Sequence, residues 1–178
     1  MKLESLNEAV ADVWVFDNDG TLYQNTRDIE SAVVLLMNEY LAQLYGIEIH
    51  VASQKRKELL GKHKTKYTLV AMRKEGVDEE DFIRKTYLAV DPKDYGIGFN
   101  QRLRDVISSL AGERIVLTNN PSAFARRILD ALGIQNLFSC VYGIQELWFF
   151  QKPARESFVI LEGFLRDRKR VVLLDDEI

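Results

Sequence analysis

The sequence contains one cysteine, three prolines and two histidines among its 178 residues. Cys140 on its own excludes an intramolecular disulfide and reads as a small buried hydrophobe. His50 and His63 have no cysteine, histidine or acid at metal-ligand spacing, so both read as surface or packing residues. No apolar run approaches the ~18 residues needed to cross a bilayer, so no membrane partner is expected. Neither sign of charge forms a long block, and 24 Lys and Arg against 27 Asp and Glu leave a net charge of -3. That balance argues against a nucleic-acid polymer and for a small-molecule partner. Residues 1–11 alternate polar, charged and apolar types and lack the apolar core of a signal peptide, so a cytoplasmic protein is expected.

What the sequence does hold is 47% apolar residues, enough for one core and a small appended subdomain. Three short apolar runs, Val13 to Phe16, Ile115 to Leu117 and Val171 to Leu174, are rich in β-branched residues and do not alternate. They suit strands buried on both faces of a parallel sheet, with a weaker strand at Cys140 to Tyr142. Ile29, Ala32, Val33, Leu36, Met37, Tyr40, Leu41 and Leu44 recur at helical spacing and Gly46 stands where the helix would stop. Asn120-Pro121 reads as a helix start with Asn as the cap, and Gly133 closes that helix; Pro153 opens another. Strand alternating with helix after residue 113 implies a doubly wound, mostly parallel α/β sheet. Nearly one hundred residues separate the first strand from the second, with helical segments at 28–45, 53–61, 65–75 and 79–89. The expected organisation is an α/β core of residues 1–27 and 97–178 interrupted by a helical domain, 28–96, with Asp91-Pro92, Gly96 and Gly98 in the return linker.

The chemistry lies at the strand ends. The first strand runs into Asp17-Asn18-Asp19-Gly20-Thr21, which puts two carboxylates at the carboxyl edge of the sheet, where such folds bind ligands. Two acids there repel unless a cation intervenes, and magnesium favours carboxylate and backbone oxygens. An aspartate held beside a phosphorus is also a competent nucleophile. Taken singly, the pair also fits an Asp-Gly turn whose acids cap backbone amides. The second strand stops at Thr118-Asn119, a hydroxyl and amides able to hold phosphate oxygens. Lys152 precedes a helix start and can neutralise charge on a nucleophile and phosphate. The last strand delivers Asp175-Asp176, a second acid pair at the same edge that completes a cation site.

In Asp17-Asn18-Asp19-Gly20-Thr21, Thr118, Lys152 and Asp175-Asp176 the chain resembles the haloacid dehalogenase superfamily of phosphohydrolases from about residue 12 onward. The resemblance implies a Rossmann-like core with an inserted small helical cap that closes over the site, and Mg2+-dependent hydrolysis of a phosphate monoester through an aspartyl-phosphate. It implies Asp17 as nucleophile, Asp19 as general acid and then base, and Thr118 and Lys152 as phosphate ligands, with Thr21 and Asn119 binding substrate. Magnesium would be held by the Asp17 carboxylate, the Asp19 carbonyl and Asp176, with Asp175 at or near it. The dehalogenating branch lacks an acid at the Asp19 position, so the phosphatase branch fits better. Phe16 to Tyr23 and Leu117 to Asn120, with Ala125 to Gly133, look most like pyrimidine 5'-nucleotidases, although those commonly carry Asn where Gly20 stands. A sugar-phosphate or phosphoglycolate phosphatase, or a silent binding protein on the same fold, are the alternatives. Members of the superfamily continue past the last acid pair with a helix and a fifth strand, so a longer natural chain is expected.

Outside these motifs, Lys62, Lys64, Lys66 and Arg73 make the helical insertion locally basic, and Tyr67 reads as a packed aromatic. Leu147-Trp148-Phe149-Phe150 is unusually apolar for a loop, which suits core packing first and a weak homodimer contact second.

Overall fold

The computed structural model describes residues 11–24, 26–166 and 170–177. The stretch read as lacking a signal peptide therefore lies, apart from Ala11, outside the described residues. The chain falls into two compact units, Met1–Thr26 with Pro92–Ile178 and Arg27–Asp91.

The first unit is built on a four-stranded parallel sheet of β1 (Val13–Phe16), β2 (Glu113–Leu117), β3 (Cys140–Tyr142) and β4 (Val171–Leu174), in the order β3-β2-β1-β4. It is a doubly wound α/β fold of the Rossmann type. The chain steps outward from β1 to β2 to β3, then returns to place β4 on the other side of β1. The order thus reverses at β1, and the crevice at the carboxyl end of β1 is where such sheets bind ligands.

Strand β1 is buried along its whole length, as a continuous apolar run in a central strand should be. Its alternate residues Val13 and Val15 join Ile115, Leu117, Leu147 and Leu161 in one cluster, with Phe158 and Leu165 packed against it. Those last apolar residues line helix α7, Arg155–Leu165, which begins two residues after Pro153. The other parity, Trp14, Phe16 and Val116, is buried on the opposite face, where Phe16 meets Phe138 edge to face at 5.7 Å.

Strand β4 departs from expectation. Val171 and Leu174 are 41% and 37% exposed, since among the described residues β4 pairs only with β1. Helix α5, Gln101–Ser109, was not foreseen, although Leu103, Val106 and Ile107 stand at helical spacing; Ile107 is its buried residue, and it starts on the Asn100 cap, which accepts from the Leu103 N–H at 2.9 Å. Helix α6 spans Ser122–Leu132 and ends on Gly133 with φ +74, as its sequence suggests. Its cap position is Pro121, so Asn120 stands outside the helix with its side chain engaged elsewhere. Cys140 is half-buried in the sheet rather than fully enclosed.

The second unit is helical throughout: α1 (Thr26–Tyr45, all but its first residue), α2 (Ile49–His63), α3 (Thr68–Lys74) and α4 (Glu79–Lys85). Ile29, Val33, Met37 and Leu41 are the buried stripe of α1, and Gly46 follows the helix with φ +62. Asp78 caps α4 by accepting from the Asp81 N–H at 2.7 Å. The basic character read from the sequence is partly neutralised inside the unit. Lys62 and His63 both meet Glu75, and Arg73 approaches Glu79 at 3.7 Å. No helix among the described residues is long and apolar enough to cross a membrane.

The loop after β3 approaches the start of α6 closely at Gly143. A Cβ there would lie 2.3 Å from the Ser122 nitrogen and 2.6 Å from the Asn120 oxygen, both backbone atoms that cannot rotate aside. Gly143→Ala should therefore lower the unfolding free energy by about 1 to 3 kcal/mol in urea titration, the usual cost of overpacking. A change within about 0.5 kcal/mol, typical of surface sites, would contradict this close approach.

Candidate active site

The site grows from strand register. Phe16 pairs with Leu174, so the next residues on these parallel neighbours, Asp17 and Asp175, emerge side by side, and the Asp17 N–H donates to the Leu174 carbonyl at 2.8 Å. Thr118, next along from β2, continues that ladder by donating its N–H to the Tyr142 carbonyl at 2.9 Å. Asp17, Thr118 and Lys152 are all buried.

Lys152 reaches between the two strands. Its Nζ donates to Asp17 Oδ1 at 2.7 Å and to Asp175 Oδ2 at 2.6 Å. An ammonium buried this far is tolerable only with such partners. Asp17, Asp175 and Asp176 each bring a carboxylate oxygen within 4.8 Å of one another. That set of hard anionic oxygens suits a divalent cation such as magnesium.

Burial pushes the Asp17 carboxyl up to about 6 from 3.8; the Lys152 ammonium opposes the rise, and Asp19 and Asp175 add to it. Asp175 moves the other way. Burial would raise it, but the hydrogen bonds from Lys152 and from the Glu177 N–H hold it below the usual carboxylate range.

After Asp17 the chain turns sharply: the Leu22 N–H donates to the Asn18 carbonyl at 3.0 Å and the Gly20 N–H to the Tyr23 carbonyl at 3.1 Å. Gly20 has φ +84, and a Cβ on it would lie 2.2 Å from Asp176 Oδ2. The absence of a side chain lets the motif loop and the Asp176 carboxylate come together. Thr21 Oγ1 donates to Asp176 Oδ1 at 3.5 Å, so this residue is placed beside the acid cluster.

Asp19 projects toward the end of β2. Its Oδ2 accepts from Asn120 Nδ2 at 3.0 Å and from Thr118 Oγ1 at 3.3 Å, and its Oδ1 accepts from the Tyr23 hydroxyl. Asn119 is oriented otherwise than expected for a substrate ligand: its Nδ2 donates to the Lys152 carbonyl at 3.2 Å and its Oδ1 accepts the Lys152 N–H at 2.7 Å. The amide grips the backbone of Lys152 and fixes where its ammonium can reach. The sequence reading missed Tyr23 and Asn120. The first sits in the quoted motif with nothing to mark a polar task, and the second was read as a helix cap.

Residues 11–178 match the sequence profile of the haloacid dehalogenase-like hydrolases, and the chain belongs to that family. Among solved structures, YfnB of Bacillus subtilis, described as a HAD-hydrolase and bound to magnesium, is similar with a TM-score of 0.52 and 17% identity, over 92% of this chain and 78% of that one. A hydrolase from Streptococcus pneumoniae TIGR4 has a TM-score of 0.49 at 17% identity, over 94% of this chain and 83% of that one. The L-2-haloacid dehalogenase of Xanthobacter autotrophicus has 0.49 at 15%, over 92% and 69%. No curated protein matches the sequence. The chain is a hydrolase of this family, and the likeness to YfnB adds the shared fold.

A carboxyl pKa raised by folding means that the folded state holds the proton more tightly than the unfolded chain. The resulting stabilisation is fully present below about 3.8 and is lost as pH rises through about 6. With chelator present, the wild type should lose about 3 kcal/mol relative to Asp17→Asn across that window, at about 1.4 kcal/mol per pH unit. Urea unfolding of both proteins at a series of pH values measures the difference. A gap that stays constant, or one that changes in favour of the wild type as pH rises, would contradict the assignment.

Proposed function

We propose that this hydrolase cleaves phosphate monoesters, with Asp17 as nucleophile and Asp19 as general acid and base. The observation that carries the reading is the second carboxylate, Asp19, held at the same strand edge as Asp17 by Thr118, Asn120 and Tyr23. An ester leaves as an alkoxide that needs a proton, whereas a halide does not, so a positioned acid has a task in ester cleavage only.

In the first step an Asp17 carboxylate oxygen attacks phosphorus, the ester P–O bond breaks, and the departing oxygen takes a proton from Asp19. In the second, Asp19 as carboxylate removes a proton from water, the water oxygen bonds to phosphorus, and the bond between phosphorus and Asp17 breaks to release phosphate. Lys152 balances charge on the phosphoryl oxygens, Thr118 would turn its hydroxyl from Asp19 to donate to one of them, and Asn119 keeps Lys152 in place through its backbone. The Asp17 and Asp176 carboxylates and the Asp19 carbonyl would hold magnesium, with Asp175 beside them. Bound there, the ion offsets the repulsion between a dianionic phosphate and clustered acids. The YfnB structure, bound to magnesium, supports this choice of metal.

The substrate class we favour is a nucleotide-like monoester, on the resemblance of Phe16 to Tyr23 and Leu117 to Asn120 to pyrimidine 5'-nucleotidases. Gly20 departs from that pattern, and an Asn side chain there would meet the Asp176 carboxylate; a sugar phosphate or phosphoglycolate is the second reading. On the family resemblance, the helical insertion expected at 28–96 would be the cap domain. An abandoned site would have no need of buried clustered charge, so Asp17, Lys152 and Asp175 argue for turnover.

Phosphate release should vanish in excess chelator and return with magnesium; full activity in chelator would sink the metal-assisted reading. Across a panel of monoesters, pyrimidine nucleoside monophosphates should give the highest kcat/KM. A sugar phosphate or phosphoglycolate better by more than about tenfold, ~1.4 kcal/mol of transition-state binding, would give the second reading the site. Asp19→Asn should slow phosphorylation by an alkyl ester about 10² to 10⁴ fold, the usual contribution of a general acid, and slow a nitrophenyl ester far less. Equal losses in single-turnover measurements would remove Asp19 from that role.

A further inference from the structure

The carboxylate of Asp19 is held by an arrangement that the hydrolytic scheme does not itself require. Tyr23 closes the turn of the motif loop. It is buried, its carbonyl accepts the Gly20 N–H at 3.1 Å, and it forms a parallel bridge with Asp19. Its hydroxyl donates to Oδ1 of Asp19. On the other side, Asn120 Nδ2 donates to Oδ2 at 3.0 Å. Asn120 is itself fixed in the backbone: its N–H donates to Thr118 Oγ1 at 3.1 Å and its carbonyl accepts the Ile144 N–H at 3.0 Å. The close approach at Gly143 presses on the same segment, since a Cβ there would meet the Asn120 oxygen at 2.6 Å.

A carboxylate on one Cβ–Cγ bond can rotate about both of its torsions unless both oxygens are engaged. Here the oxygens are engaged from opposite ends of the site, one by the motif loop and one by the segment after β2. Both donors belong to the first unit, and Tyr23, which is buried, can lose its hydroxyl without losing its ring from the core.

We propose that Tyr23 and Asn120 are positioning residues that act through Asp19, fixing the plane of its carboxylate so that proton delivery to the leaving oxygen, rather than substrate binding, depends on them. The inference rests on the phosphomonoesterase reading above. Misplacing a catalytic group by as little as ~1 Å costs on the order of 10² in rate. The penalty should fall where the proton matters, on esters with poor leaving groups.

The test uses the full chain with magnesium, an alkyl phosphate monoester and nitrophenyl phosphate as probes. Single-turnover rates and KM are taken for wild type, Tyr23→Phe, Asn120→Ala, Asp19→Asn and the double variant Asp19→Asn with Tyr23→Phe. Tyr23→Phe and Asn120→Ala should each lower kcat on the alkyl ester by about 10- to 100-fold. On nitrophenyl phosphate the loss should stay under about threefold, with KM little changed on both. Adding Tyr23→Phe to Asp19→Asn should change the alkyl rate less than about twofold, because residues that act through one group do not add. Equal losses on the two esters, a change confined to KM, or full additivity in the double variant would overturn the inference while leaving the phosphatase reading intact. A wild type that hydrolyses neither ester would overturn that reading and the inference with it. If Tyr23→Phe does not fold, Asn120→Ala, which removes a donor from a partly exposed loop, decides the matter by the same comparison.

Discussion

The contact on which the site depends is the Lys152 ammonium lying between Asp17 and Asp175, at 2.7 and 2.6 Å. Parallel pairing of β1 with β4 forces two carboxylates together at a buried edge, and the fold tolerates this only with a cation between them. Burial raises Asp17 to about 6 even with Lys152 present. A second cation, drawn by Asp17, Asp175 and Asp176, would relieve what the ammonium leaves uncompensated. The same geometry therefore explains a structural demand and a chemical capacity.

Holding that ammonium in place is the work of several elements. Asn119, at the end of β2, binds both backbone groups of Lys152 through its amide. Thr118 ties β2 to the end of β3 through its N–H and reaches Asp19 through its hydroxyl. Three consecutive residues after β2 thus serve the Lys152 backbone and the Asp19 carboxylate. The helix α6 that follows is anchored by the close contact at Gly143. On the other side of β1, Gly20 and Thr21 lie against the Asp176 carboxylate.

How much of this was legible in the sequence follows from what each residue type advertises. Asp17, Asp19, Lys152 and Asp175-Asp176 stand out because clustered charge after apolar runs has few structural uses, and parallel pairing then brings them together. Asn120 was read as a helix cap and meets Asp19 instead, and the contact of Asn119 with the Lys152 backbone was not foreseen, because an asparagine near a helix start has several equally good partners and only the tertiary structure chooses among them. Helix α5 was legible in Leu103, Val106 and Ile107 at helical spacing after the Asn100 cap, and was passed over. β4 has the composition of a central strand, and among the described residues it pairs with β1 alone, a matter of strand order that composition does not encode. The loop read as core packing divides instead: Leu147 is buried in the core, while Trp148 is 74% exposed with φ +52.

The central claim is that Asp17 carries the phosphoryl group between the two steps. It is tested most directly by quenching the protein with acid during turnover of a phosphate monoester and mapping any acid-stable, hydroxylamine-labile phosphate by mass spectrometry. The account expects an acylphosphate on the peptide containing Asp17, enriched in Asp19→Asn because its hydrolysis is slowed. Phosphate on any other residue, or steady turnover with no phosphorylated protein in either form, would contradict it.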